Sequence, residues 1–526
     1  VSELRYGKIL IMTDADTDGF HIKSLLVNFI GNSWPELLKI DFISSLVTPV
    51  IKVSKKTSVL PFYNLSDYNK WRETNSTDGY KVKYYKGLGT STSSEAKEYF
   101  KDMKTLDYKV ESNTDEKYLH MAFTKTEADA RKKWILDNIT SPKTLDYTKN
   151  NVRVKDLINK ELVLFSIADN VRSIPSLVDG LKPSQRKIIY ACIKRNLYSE
   201  IKVSQLAGYV SEVSSYHHGE ASLQETIIGL SQTFVGSNNI NLLEPVGQFG
   251  TRLLGGKDSS SPRYIFTHLS KNFKNVFNPA DFNILNYLDD DGFSIEPSFY
   301  VPTLPLILVN GACGIGTGFS TDIPCFNPDD LKDRLLKLVE DPDAEIEELM
   351  PWYKGFNGTI TKVEENKWIT WGVYKIVSNT VTITELPIGT WTEDYKSYLD
   401  KLETENEIYS YINKSTETSV HFELKIPLEN IISWKDNRDF HKKLKLTSNL
   451  SAKNIHVFNE KNEIVKMESP EEIIYRFWNI RCEYYTKRQK DISDRLSKEL
   501  DLITSKINFV NDVIDENVKV FRQKIS

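Results

Sequence analysis

Lys8-Ile-Leu-Ile-Met-Thr13 leads into Asp14-Ala-Asp-Thr-Asp-Gly19, and His21 to Ile30 follow at once. The first six residues are a short apolar run of the kind that fills a buried strand. The acidic hexamer reads as a turn. The third segment predicts a helix with Ile22, Leu25, Leu26 and Phe29 along one face. Strand, acidic turn and helix in direct succession put this part of the chain in the α/β class, where ligands gather at the carboxyl ends of strands.

Asp14, Asp16 and Asp18 alternate through the turn. Three carboxylates this close repel one another unless a cation sits between them. An all-oxygen set favours Mg²⁺ or Ca²⁺ over zinc. The spacing also fits the first six positions of an EF-hand loop. That reading fails at position twelve, where Leu25 stands in place of the required Glu, and a strand precedes the turn where a helix belongs. The plain alternative is a solvated acidic turn that caps a helix.

Working outward, residues 46–53 form another strand candidate, and Thr92-x-x-Glu95 is a capping box opening a helix to about residue 103. Residues 104–150 are polar with little periodicity and read as a connecting segment. From Val152 to Lys202 the pattern is helical, interrupted at Pro175 and Pro183. Its second half carries Lys182, Arg186, Lys187, Lys194, Arg195 and Lys202 against Glu200, the clearest basic stretch in the chain. Residues 236–262 are loop-like, 299–309 apolar and strand-like, and 355–387 alternate as strands. From Pro470 a long helix is predicted. Its apolar positions Ile492, Leu496, Leu500, Ile503, Ile507, Val510 and Ile514 step by fours and threes, a coiled-coil seam.

The whole chain has 526 residues, 40% hydrophobic and 27% charged. Such a length exceeds one core and predicts two to four domains. The net charge of -4 excludes a uniformly basic nucleic-acid coat but not local patches. Four cysteines without C-x-x-C spacing exclude a disulfide scaffold and a zinc ribbon, and fit a reduced intracellular compartment. No apolar run approaches the ~20 residues of a membrane span, so no membrane partner is expected. The start at Val1 and the end inside a helical pattern read as an internal piece of a longer polypeptide.

Three further motifs carry chemistry. Pro262-Arg263-Tyr264 follows a flexible Gly255-Gly256-Lys257-Asp258 loop. Its Tyr is either a half-buried side chain or a nucleophilic phenol beside a charge-stabilising Arg263. Tyr216-His217-His218-Gly219-Glu220 offers tandem histidines as core residues, metal ligands or phosphate contacts. Gly311-Ala-Cys-Gly314-Ile315-Gly316-Thr317-Gly318 imitates a dinucleotide fingerprint, but Pro324 and Pro328 deny it the following helix. What remains is a tight turn with Ile315 at its tip, incidental or able to wedge between stacked bases.

Together these motifs resemble those of eukaryotic-type DNA topoisomerase II, a type IIA topoisomerase. The strand-DxDxDG-helix unit resembles the second half of a Toprim domain. Lys86-Gly-Leu-Gly-Thr90, Leu181 to Lys187, Tyr216 to Glu220, Gly255 to Asp258 with Pro262 to Tyr264, and Gly314 to Gly318 follow in the family's order. The acids and the Arg-Tyr pair share one chain, as in the fused eukaryotic or viral type.

The resemblance implies a multidomain α/β and α+β fold. Residues 1–105 would be the C-terminal part of a Toprim sheet and 106–150 a linker. Residues 151–298 would be a winged-helix domain, 299–466 a β-rich tower and 467–526 the start of a coiled-coil arm. The implied function is the DNA breakage-reunion core of an ATP-dependent enzyme, with a transient double-strand break held through a 5′-phosphotyrosine. Tyr264 would be the nucleophile, Arg263 the stabiliser and His218 a further catalytic contact. Asp14, Asp16 and Asp18 would hold Mg²⁺, with Mn²⁺ or Ca²⁺ as substitutes. Lys182, Arg186, Lys187, Arg172, Tyr216, Ile315, Trp391 and Lys445 would touch DNA, with Ile315 as the intercalating wedge. Partners would be double-stranded DNA and a second copy, each supplying its tyrosine to the other's metal site. The address would be the nucleus, or the cytoplasm for a viral enzyme, and ATP would bind outside this chain.

The departures are specific. The family's earlier Toprim glutamate has no counterpart here, so weak cleavage is expected of this chain alone. Cys313 replaces an expected Glu and Ser184 an expected Gly. The rival reading is a non-catalytic, chromosome-architectural DNA-binding protein on the same scaffold.

Overall fold

The computed structural model describes residues 4–56, 58–85, 87–216, 218–290, 292–436 and 439–518. The architecture is mixed α/β, in two compact units. One comprises Val1–Ile174 with Gly314–Ser320, the other Pro175–Cys313 with Thr321–Ser526.

In the first unit a four-stranded sheet runs in the order Ile9–Ile11, Ile43–Leu46, Thr105–Lys109, Asn151–Arg153. The outer pairings are parallel and the central one antiparallel. The predicted first strand and the helix after the acidic turn both form, the helix as Thr17–Ser33. Its buried side is not the expected one. Ile22, Leu25, Leu26 and Phe29 are exposed, while Lys23, Ser24, Val27 and Ile30 are buried. The cause is an ion pair. Lys23 reaches the buried Glu161, whose other oxygen accepts from Tyr147 at 2.7 Å. A paired charge has therefore chosen the inward face over the apolar stripe.

The 46–53 run splits into strands of two different sheets, Ile43–Leu46 and Ile51–Lys55. Pro49 lies in the break, lacking the N–H a ladder needs. The second of these strands is central in an antiparallel sheet with Ser58–Phe62 and Lys81–Tyr84. The 104–150 stretch is not a bare connection. It supplies the strand Thr105–Lys109, with Leu106 and Tyr108 fully buried, and the helices Asn113–Phe123 and Ala128–Ile139. A five-residue strand is too short to declare a period. The first helix is fixed by buried Asp115, which accepts from the Glu111 and Ser112 amides and from Arg153. The helical run ahead of residue 175 contains one π turn, Ile158–Leu162, between Val154–Leu157 and Val163–Ser173.

The second unit holds the largest core. Helices Pro183–Arg195, Val203–Val213 and Glu220–Ser231 pack with an antiparallel sheet in the order Ile201–Lys202, Phe266–Leu269, Leu243–Val246. Pro183 opens its helix rather than breaking one, as the first helical position allows. The 299–309 segment is not a strand. Leu306–Val309 is one buried helical turn, and Pro302 and Pro305 cannot donate to a ladder. The expected strands of 355–387 form, and join two sheets. Thr359–Glu364, Lys367–Trp371 and Thr447–Ser451 make one. Val373–Val377, Thr380–Glu385, Phe422–Lys425 and Ser410–Asn413 make the other, over a core that includes Val381, Phe422 and Tyr395.

The terminal helix spans Pro470–Ile514, capped by Ser469, whose hydroxyl accepts from the Glu472 amide. Ile473, Ile474, Phe477 and Tyr484 bury its first turns, whereas the seam from Leu496 to Ile514 is exposed. No described helix is long and apolar enough to cross a membrane.

Candidate catalytic residues and nucleic-acid interface

The acidic turn is built by its neighbours in the first unit. Asp14 accepts the Leu88 amide at 2.7 Å. Gly87 makes that approach possible, since a Cβ there would lie 2.9 Å from the Asp14 carboxylate. Lys86, the first residue of that motif, lies outside the described residues. Asp16 is the N-cap of the helix and accepts the Gly19 amide at 2.7 Å. Gly19 is again forced, because a Cβ would fall 2.0 Å from the Asp14 carbonyl. Asp18 pairs with Arg172 at 2.9 Å, and Arg172 also lies 3.5 Å from Asp169.

Each of the three carboxylates thus has a protein donor. Among the described residues no three His, Cys, Asp or Glu side chains are grouped to hold a metal ion. A helix starts at Thr17, with Asp16 as its N-cap and Asp14 and Asp18 engaged by the Leu88 amide and Arg172.

Arg172 sits on the helix Val163–Ser173, which also anchors the glycine turn. Asp169 accepts the Thr317 hydroxyl at 2.8 Å, and Asn170 donates to the Thr317 carbonyl at 3.0 Å. Gly316 leaves no room for a side chain, a Cβ falling 2.3 Å from Asn170 Oδ1. Ile315, held on this turn, is 80% exposed. The expected apolar tip is present. Its anchors, Asp169 and Asn170, escaped sequence reading because a long stretch of chain separates them from the turn.

In the second unit Arg263 and Tyr264 project from a turn closed by the Tyr264 amide on the Ser261 carbonyl at 2.9 Å. The turn is pinned from both sides. Ser204 donates to the Pro262 carbonyl, Val203 to that of Ile265, and the Ile265 side chain is buried. Tyr264 itself is 66% exposed. The Arg263 guanidinium lies 4.9 Å from its ring centroid. His218 is exposed, with its ring edge-on to Tyr216 at 5.4 Å. His217 lies outside the described residues.

The basic stretch divides. Arg186 donates to Asp179 and to the Leu181 carbonyl, both at 2.8 Å. Lys187 pairs with Glu296 at 2.9 Å and also donates to the Ser214 carbonyl. These two charges are spent inside the protein, because the helix Pro183–Arg195 points its first turn at a buried carboxylate. Lys182 donates to the Cys313 carbonyl at 2.9 Å, and burial holds its ammonium pKa below the ordinary lysine value. Lys194, Arg195 and Lys202 remain exposed.

Trp391 has a packing role. Gly255 has φ +61° and lies so close that a Cβ would fall 2.4 Å from the indole. Phe234 meets the same ring edge-on at 5.7 Å. The loop is closed further by Asp258, which accepts the Thr251 amide and hydroxyl at 2.9 and 2.6 Å. Lys445 is exposed and stands 3.8 Å over the Tyr398 ring.

Two known families cover most of the chain. The DNA gyrase/topoisomerase IV family, in its A-type component, matches residues 172–526, and the C-terminal associated domain of TOPRIM matches 46–170. The mitochondrial DNA topoisomerase 2 of Dictyostelium discoideum is 45% identical over 99% of this chain and 41% of its own length. DNA topoisomerase 2-alpha of Gallus gallus is 44% identical over 99% of this chain and 35% of its own. The chain thus spans less than half the length of these relatives. The crystal structure of the Plasmodium falciparum topoisomerase II DNA-binding, cleavage and re-ligation domain superposes with a TM-score of 0.81. It is 41% identical, with 100% of this chain and 72% of that one covered. With two families accounting for its sequence from residue 46 to the end and a solved relative for its fold, the chain belongs to the type II DNA topoisomerases.

Proposed function

We propose that this chain is the DNA breakage-reunion core of a type IIA topoisomerase that works with ATP bound elsewhere in the complete enzyme. The observation that carries the reading is Tyr264, an exposed phenol on a rigid turn with Arg263 against its ring. The Tyr264 oxygen attacks a backbone phosphorus, and the bond from phosphorus to the ribose 3′ oxygen breaks. The phenolic proton is lost and the 3′ oxygen gains one. The 5′ end is then joined to the protein. Arg263 offsets the charge that builds on the phosphate oxygens. His218 is assigned to the same scissile region as a donor. Attack by the 3′ hydroxyl reverses every bond change, so the break reseals without an external energy source.

Double-stranded DNA is the substrate. Ile315 suits an intercalating wedge by its exposure and its anchored turn. Lys182, Arg172, Tyr216 and Lys445 are assigned to the DNA path, as are the exposed Lys194, Arg195 and Lys202. Arg186, Lys187 and Trp391 support that surface from within. A homodimer supplies one Tyr264 per strand. Mg²⁺ is the cofactor implied by kinship, with Asp14, Asp16 and Asp18 as its oxygen donors, Mn²⁺ or Ca²⁺ standing in. As folded, these acids are engaged separately, and the steps assigned here fall to protein side chains alone. Residues 151–298 are assigned as a winged-helix domain, 299–466 as the tower and 467–526 as the arm, with a nuclear address.

The test is covalent trapping. Labelled duplex DNA is incubated with the complete enzyme, denatured with detergent, and the protein-bound label is measured. Wild type retains label and Tyr264→Phe does not. Equal retention in the mutant refutes the assignment, and retention in neither favours a non-catalytic DNA-binding role.

A further inference from the structure

The loop that leads to Tyr264 is held at its start by a buried ion pair. Arg252 and Glu385 are both buried, and two nitrogens of the guanidinium face the two oxygens of the carboxylate. Nη2 donates to Glu385 Oε1, and Nη1 lies 3.5 Å from Oε2. The carboxylate also accepts two amides, that of Leu386 at 2.9 Å and that of Asn357 at 3.2 Å. The backbone is held on the same side. The Arg252 and Leu253 carbonyls accept the Thr392 and Glu393 amides at 3.4 and 3.0 Å. Those amides open the helix Thr392–Thr404, whose N-cap, Trp391, makes no side-chain hydrogen bond to it. The loop thus supplies acceptors that the start of a helix needs.

A few hydrogen bonds carry this fixation on to the tyrosine. Thr251, next to Arg252, is clamped to Asp258 through its amide and hydroxyl. The Gly256 amide returns to the Thr251 carbonyl and the Ser260 amide to that of Gln248, both at 2.9 Å. Ser261 follows, and its carbonyl accepts the Tyr264 amide. Every one of these residues belongs to the second unit.

Stability alone does not call for such a pair. Exchanging a buried ion pair for neutral groups of similar volume often costs nothing. What the pair supplies is orientation, because a planar guanidinium and a carboxylate meet at two points. Orientation matters here, since misplacing reacting groups by about 1 Å costs about 10²-fold in rate.

We propose that Arg252, paired with Glu385, is a positioning residue for Tyr264. It acts through the loop, by fixing the frame from which the Tyr264 turn projects. The catalytic consequence rests on the reading of Tyr264 as the nucleophile, whereas the fixing of the turn does not.

Arg252→Met alone leaves a buried carboxylate unpaired, so the complete enzyme is given Arg252→Met together with Glu385→Gln. Arg252→Lys is made separately, keeping the charge and losing the two-point contact. Three quantities are measured: duplex affinity, the rate of covalent adduct formation at saturating duplex, and amide hydrogen exchange at Tyr264 beside that of the core helix Val203–Val213. In both variants the rate is expected to fall about tenfold or more and exchange at Tyr264 to rise about tenfold. Affinity should stay within about twofold of wild type, and exchange in Val203–Val213 should not change. A wild-type rate in the double variant, or wild-type exchange at Tyr264, overturns the proposal. So does an equal rise of exchange in Val203–Val213, which would make the pair merely structural. Adduct formation that persists in Tyr264→Phe would sink the catalytic reading by itself, and the exchange comparison would still decide whether Arg252 fixes the turn.

Discussion

The acidic turn and the Arg263-Tyr264 turn are both short and polar, and each stands at an end of a small sheet, yet they are finished in opposite ways. Around Asp14, Asp16 and Asp18 the unit supplies a separate donor for each carboxylate: the Leu88 amide, the Gly19 amide and Arg172. Around Tyr264 the backbone is pinned while the phenol stands out with Arg263 against it. Crowded like charges persist only when they are shared among partners. A nucleophile has the reverse requirement, a fixed position with an open approach. The two turns therefore invest their hydrogen bonds differently, one in side chains and the other in backbone.

The comparison breaks most readily at the open turn. Arg263→Ala is expected to lower the rate of covalent adduct formation by about 10²–10³, the usual loss for one charge-stabilising donor. Its melting temperature should stay close to wild type, because the side chain is exposed. A comparable loss of both activity and melting temperature would make Arg263 structural.

Gly255→Ala comes next. The residue must keep φ +61° and fit a Cβ against Trp391. A loss of about 2–4 kcal/mol in unfolding free energy is expected. Trp391→Ala should relieve part of it in the double mutant, measured by denaturant titration. Additive effects would mean that the two residues do not oppose each other.

Asp18→Asn probes the engaged turn. The pair with Arg172 is half-exposed, so only about 0.2–1 kcal/mol of stability is expected to go. Chelation of divalent ions should leave the melting curve of the chain unchanged, as expected of carboxylates already supplied with protein donors. A large stabilisation by Mg²⁺ would show that the acids regroup.

The last effect concerns pH. Burial pushes the Glu95 carboxyl up, but hydrogen bonds from Lys83, Tyr85 and Thr92 outweigh it and bring the pKa to about 2, from 4.5. The folded value is depressed, so this contribution is complete above pH 4.5 and disappears as the pH falls toward 2. Glu95→Gln should be less stable than wild type at pH 7 and converge with it near pH 2. A gap that stays constant with pH would exclude the carboxylate as its source.

How much was legible follows the range of the forces involved. The strand-turn-helix unit, the capping box at Thr92, the strands after residue 355 and the terminal helix all rest on neighbours in sequence, and all form. The exposure of Ile315 was legible because glycines and prolines leave the segment few choices. The inward face of Thr17–Ser33 was not, since it is decided by Glu161, far along the chain. The diversion of Arg186 and Lys187 depends on Asp179 and Glu296 in the same way. A run of basic residues states charge, whereas its accessibility is settled by tertiary partners. Trp391 shows the converse. Its position was singled out, but its contact is the glycine loop.

The π turn at Ile158–Leu162 has a consequence for timing along a helix. One extra residue in a turn advances everything downstream by about 100°. Asp169, Asn170 and Arg172 all lie downstream, and together they hold the Ile315 turn and Asp18. The π turn is thus a phase setting. Removing one residue there would restore a regular helix and rotate all three side chains off their partners together, detuning a wedge and a carboxylate without altering either.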